Sequence, residues 1–191
     1  MTDASPDVLA EAGATMARLV AGVQDAQWSA ATPCPEWTVA ELVTHVLAGN
    51  RLNAALLRGE ERPAGTPEPL RAAELPAAFE RSMAELEEAF GRPGALERTV
   101  PLPVGSVPGA VALDLRITEL LVHGWDLARA TGQELTVPEA ATRRAWEFSR
   151  EFVHRIPPDR EPFAASRTVP DDAPQIDRLV ALLGRDVSRA S

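Results

Sequence analysis

At 191 residues, with 25% charged residues and a formal net charge of −9, the chain is sized for one substantial domain, residues 1–191, and is cramped for two. All 19 basic residues are arginine and they form no basic cluster, which argues against a nucleic-acid backbone or an anionic membrane as partner. No run reaches the roughly eighteen apolar residues of a membrane span, Met1-Thr-Asp-Ala-Ser-Pro6 lacks the regions of a signal peptide, and a lone cysteine, Cys34, leaves no internal disulfide, so a cytoplasmic location is the expectation.

Ser5 and Pro6 suit a helix start as cap and first helical residue. Val8, Leu9, Ala12, Met16, Leu19, Val20 and Val23 follow at helical spacing, predicting a first helix to about Gln24. Pro33 and Pro35 break the next segment, Trp28 to Trp37. Thr38-Val-Ala-Glu41 is a capping box that opens a second helix. On that helix His45 shares a face with Leu42, Gly49 and Leu52, so the imidazole is expected to point inward, with room left beside it by Gly49.

Arg58 to Pro69 is a polar loop rich in Pro, Gly and Glu. A third helix carries Leu75, Phe79, Met83, Leu86 and Phe90 as its buried stripe, with Gly91 as its stop. From Leu96 to Val107 prolines and a glycine alternate with Val, Leu and Thr, as in a short hairpin or extended segment. A fourth helix is predicted from about Ala110 to Ala130, stopped by Gly132. Val137-Pro138-Glu139 starts a fifth, with Trp146, Phe148 and Val153, ending before Pro157. Arg160 to Pro174 is a loop, and a short last helix holds Ile176, Leu179, Val180 and Leu183 before Gly184. The expectation is an all-α protein, an antiparallel four-helix bundle with a hairpin before the fourth helix and a small C-terminal helix.

The fourth helix concentrates the chemistry, in Glu119-Leu-Leu-Val-His123-Gly-Trp-Asp126. Residues four apart lie one turn above each other, so Glu119 and His123 present a carboxylate and an imidazole side by side. With His45 they make a three-ligand metal site with open positions. The alternatives are ordinary: His45 as a hydrogen-bonded core histidine, and Glu119 in a helix salt bridge with Arg116. An ionised carboxylate on an apolar face is costly unless paired or bound to a cation. Asp126 suits a fourth ligand or an acceptor that holds an imidazole from behind. Cys34, between prolines before a helix start, is read as a small buried turn residue and not a ligand, the alternatives being a soft ligand or a reactive thiol with a lowered pKa. His154 is expected at the exposed end of the fifth helix, and Trp37 and Trp125 as core fillers.

Thr32-Pro-Cys-Pro-Glu-Trp-Thr-Val-Ala-Glu-Leu-Val-Thr-His45-Val-Leu-Ala-Gly-Asn50, together with Glu119-Leu-Leu-Val-His123-Gly-Trp-Asp-Leu-Ala-Arg-Ala-Thr-Gly132, resembles the DinB-like superfamily. The nearest branch is the metal-binding domain of mycothiol-dependent maleylpyruvate isomerase and its actinobacterial relatives. The ending from Val169 to Gly184 looks like that of one uncharacterised subfamily. The resemblance implies a four-helix bundle holding a divalent cation, typically Zn2+, with Ni2+ or another metal also compatible. Carried onto this chain, its ligand positions are His45, Glu119 and His123. It also implies mycothiol as a thiol cosubstrate at an open coordination position.

The isomerase continues into a second domain, whereas here only the helix from Gln175 to Gly184 follows, so the resemblance carries the site further than it carries the isomerase reaction. The expected function is a metal-dependent thiol transferase or isomerase acting on a small electrophile, with Arg116 or Arg129 to position a substrate anion. A metal-dependent hydrolase and a non-catalytic, metal-stabilised ligand-binding bundle are the alternatives. The partners expected are a small-molecule thiol and an electrophile, with a homodimer left open.

Overall fold

The structure is a computed structural model and describes residues 6–62, 70–155 and 164–188. The Ser5 cap, most of the proline-rich loop before Leu70, the Pro157 stop and the start of the Arg160–Pro174 loop lie outside those residues. Among the described residues there are six α-helices and one two-stranded antiparallel hairpin: α1 Pro6–Ala21, α2 Val39–Arg58, α3 Leu75–Phe90, β1 Thr99–Leu102, β2 Gly105–Pro108, α4 Gly109–Thr131, α5 Glu139–Phe152 and α6 Gln175–Leu182. None of these helices is long and apolar enough to cross a membrane.

Helix α2 begins as its capping box dictates. The Thr38 backbone N–H donates to Glu41 Oε2 at 2.8 Å, and the Glu41 N–H donates back to Thr38 Oγ1 at 3.4 Å. Two of the orphan donors of the helix start are thereby satisfied. Helix α1 stops at Ala21, short of the predicted Gln24, because the Gly22 N–H is shared between the carbonyls of Arg18 and Leu19, tightening the last turn. Helix α3 ends at Phe90 with Gly91 still right-handed at φ −73°; Pro93 then forbids continuation. Helix α4 ends as predicted, on Gly132 in the left-handed region at φ 67°, its N–H donating to the Ala128 carbonyl.

Helices α1 and α2 each pack on both α3 and α4, and α5 and α6 pack on one another and on α4. Helix α4 is therefore the element around which the others assemble. It is buried almost all round from Ala112 to Ala128, which explains why no single apolar stripe marks it. Leu9, Met16, Leu42, Phe79, Leu86, Phe90, Leu113, Ile117 and Leu120 are among the fully buried side chains of the common core. Burying each contributes about 1.5–3 kcal/mol before the conformational entropy it opposes. The hairpin pairs Thr99 with Pro108 and Leu102 with Gly105. Its prolines, 101 and 108, are tolerated because a two-stranded ribbon has only edges. It leads directly into α4, and its tip, Leu102 to Val104, forms part of a cavity wall beside α2 and α4.

Candidate metal centre

His45 lies on α2, and Glu119 and His123 lie one turn apart on α4. One ligand atom from each lies within 4.8 Å of the other two. The His45 and His123 rings meet edge to face, with centroids 5.3 Å apart. All three side chains line a cavity of about 460 Å³.

Each member of the trio is held by a different device. Trp37, in the segment before α2, stacks on the His45 ring with centroids 4.2 Å apart and planes 28° apart. Burial, the nearby His123 and Arg116 push the His45 pKa down to about 4 against the opposing pull of Glu119, so the imidazole is neutral at pH 7 and keeps a free lone pair. Glu119 has 36% of its side-chain surface open, on the cavity. Burial would raise its pKa, but Arg116 and the two imidazoles outweigh that and hold the carboxyl below the usual range. Its Oε2 accepts from Arg116 Nη1, leaving the other oxygen uncommitted to that pair.

Arg116 is itself buried. Its Nη2 donates to Asn50 Oδ1 at 2.7 Å and to the Val46 carbonyl at 3.3 Å. Gly49 does leave room, but for this guanidinium: a Cβ there would collide with Arg116 Nη1. The ordinary salt bridge anticipated for Glu119 is therefore present and coexists with the trio.

His123 is steadied from behind. Its Nδ1 lies 3.1 Å from Asp126 Oδ2, and Asp126 has 0% of its surface exposed. Arg185, beyond α6, donates to the same carboxylate through Nη2 at 2.9 Å and Nε at 3.3 Å. Burial works to raise the Asp126 pKa, but the hydrogen bonds from His123 and Arg185 prevail and keep it below the usual range. An ionised carboxylate only accepts, so the His123 proton sits on Nδ1 and Nε2 is the nitrogen left for a ligand bond. Of the two roles open to Asp126, the geometry matches the acceptor behind the imidazole.

Other expectations need correcting. Cys34 lines the cavity, and burial, opposed by Arg185, raises its thiol pKa, which counts against the reactive-thiol alternative. Trp37 is half-buried in the cavity wall rather than a core filler. Trp125 is buried as expected, donating from Nε1 to Asp177. Arg129 does not reach this cavity: its guanidinium lies over the Trp125 ring, 4.9 Å from the centroid, beside a different depression. Arg116 reaches the cavity, but its Nη groups are engaged by protein acceptors. His154 is exposed, in the turn after α5.

The residues that spacing had not revealed are Asn50, Arg185 and the hairpin tip. Asn50 had a faint signal, as a polar residue five past His45 on an inward-facing helix. Arg185 had none, because its contact with Asp126 spans 59 positions.

Residues 9–128 match the mycothiol maleylpyruvate isomerase N-terminal domain family. The chain belongs to that family. It is similar to uncharacterised proteins of two Mycobacterium tuberculosis strains, CDC 1551 / Oshkosh and ATCC 25618 / H37Rv. Each is 38% identical over 176 residues, covering 90% of this chain and 92% of the relative. Two solved structures share its fold. One is the mycothiol-dependent maleylpyruvate isomerase, with TM-score 0.60 and 23% identity. The other is a histidine-to-alanine mutant of that isomerase, with TM-score 0.63 and 22% identity. Both comparisons cover 78% of this chain and 68% of the neighbour.

Proposed function

We propose that this family member is a metal-dependent transferase or isomerase in which a low-molecular-weight thiol, mycothiol in the solved relative's description, attacks a small electrophile. The reading includes a single domain over residues 1–191, built on α1 to α4 as a DinB-like antiparallel four-helix bundle. The observation that carries it is the convergence of His45, Glu119 and His123 on one cavity.

The residues fit a divalent cation. Two donors about 2.1 Å from a shared tetrahedral ion stand roughly 3.4 Å apart, so a trio within 4.8 Å needs only small side-chain adjustment. The donor set of two imidazoles and one carboxylate suits Zn2+, with Ni2+ also compatible. When bound, such a cation deprotonates a coordinating thiol near neutral pH. The chain supplies the rest. His45 stays neutral, Arg116 orients Glu119, Asp126 fixes the His123 proton on Nδ1, and Trp37 shields the His45 ring. The apolar walls, among them Leu52, Leu115 and Val122, keep bulk water from a reactive sulfur.

Protein purified without a metal-binding tag should contain close to one equivalent of metal by elemental analysis, and His45→Ala should lose it. Incubated with mycothiol and an activated alkene, the loaded protein should accelerate conjugate or isomer formation, read by mass spectrometry. Hydrolysis of an ester probe instead would favour the hydrolase alternative. Stoichiometric metal with no turnover of either kind would leave a non-catalytic bundle.

A further inference from the structure

We propose that the electrophile taken by this cavity is uncharged and largely apolar rather than a carboxylate. This rests on the proposed thiol chemistry for the same site.

Two arginines line the cavity, and protein acceptors already hold both. Arg116 gives Nη1 to Glu119 and Nη2 to Asn50 and the Val46 carbonyl. Arg185 gives Nη2 and Nε to Asp126 and Nη1 to the Leu183 carbonyl. Among the described residues of the wall, no cation is left to receive a substrate anion in the bidentate manner that carboxylate recognition uses. The balance of fixed charge points the same way: Arg116 is paired with Glu119 and Arg185 with Asp126, so the wall carries no surplus positive charge.

The remaining wall is apolar: Trp37, Leu52, Leu102, Val104, Leu115 and Val122. A carboxylate pressed against it gives up hydration without compensation, whereas an apolar body gains. The wall's two unmatched buried atoms, Asn53 Oδ1 and Arg116 Nε, present no surface to a ligand in the cavity, so neither recruits a charged group.

The test uses cinnamamide and cinnamate, which share shape and differ in charge, binding to the full chain stripped of metal by a chelator. Without metal, no open coordination position can take up the acid, so the comparison reads the cavity wall alone. Isothermal titration should give the amide at least about tenfold tighter binding than the acid, from the uncompensated desolvation of the carboxylate. Val104→Arg, which adds an unengaged guanidinium at the half-buried hairpin tip, should bring the acid to parity or better. Leu102→Arg repeats that test should the first variant fold poorly by circular dichroism. Equal or tighter binding of cinnamate to the unaltered chain overturns the proposal, as does failure of both probes to bind. Metal content, measured separately on the unstripped protein, decides the thiol-enzyme reading: absent metal with an amide preference defeats that reading alone, and stoichiometric metal with an acid preference defeats this inference alone.

Discussion

Asp126→Asn is the most informative single substitution, because it changes charge without changing shape behind His123. Asp126 is fully buried and accepts from His123 and twice from Arg185. In the metal-free protein, a neutral amide facing Arg185 weakens charge-assisted hydrogen bonds worth about 1.5–3 kcal/mol each when intact. At about 2–4 °C per kcal/mol for a domain of this size, the apo melting temperature should fall by several degrees. The amide also stops dictating the His123 tautomer, and loss of such a supporting acceptor typically costs about 10–100-fold in metal affinity. With free metal at a hundred times the wild-type dissociation constant, linkage stabilises the wild type by about 2.7 kcal/mol. The same concentration stabilises the variant by only about 0.4–1.4 kcal/mol. Differential scanning calorimetry should therefore show a metal-dependent rise of roughly 5–11 °C in the wild type and roughly 1–6 °C in the variant. The readout is the difference between two metal-dependent rises, so general destabilisation cancels. An identical rise in both proteins would refute the coupling of Asp126 through His123 to a bound cation.

Gly49→Ala should drive the Arg116 guanidinium from its place beside Glu119 and cost about 1–3 kcal/mol by overpacking; an unchanged urea midpoint would contradict the placement of that side chain. Because the folded-state pKa of His45 lies at about 4, below the usual value near 6.5, the unfolded chain binds the extra proton between those values. The chelated protein should then lose stability as pH falls from about 6.5 to about 4, and His45→Gln should flatten that slope in urea titrations at successive pH values. Chelation at neutral pH should leave the far-ultraviolet helical signal intact; its loss at room temperature would make the metal a structural part of the fold.

What could be read in the sequence was whatever depends on neighbours within two turns. The Thr38–Glu41 box, the stripe from Leu75 to Phe90 and the glycine after Thr131 each act locally, so each element appears close to where its residues place it. The pairing of Glu119 with His123 is local too, and spacing alone sets it. What escaped was tertiary. Helix α4 is buried on nearly every side, so its pattern said little about which neighbour each face would meet. Arg185 reaches Asp126 only because α6 packs on α4 and α5, a contact that periodicity does not encode. The low-pKa alternative for Cys34 fell for the same reason: proximity in sequence to a helix start was legible, while the burial that raises its thiol pKa was not.

The arrangement also bears on what a cation would be for. A structural site closes its coordination shell with protein ligands and holds up a fold too small to stand alone. Here the core of Leu9, Leu42, Phe79, Leu86 and Leu113 is continuous across α1 to α4, so the fold does not need a staple. The trio faces a cavity instead of being sealed within the core, and among the described residues no fourth His, Cys, Asp or Glu joins it as a further donor. Asp126, the nearest further carboxylate on α4, faces Nδ1 of His123 and Arg185 instead. Arg116, buried, holds Glu119 directly, and Arg185, half-buried, holds His123 through Asp126. Such rigid placement of a donor set open on one side suits a centre that binds and releases small molecules.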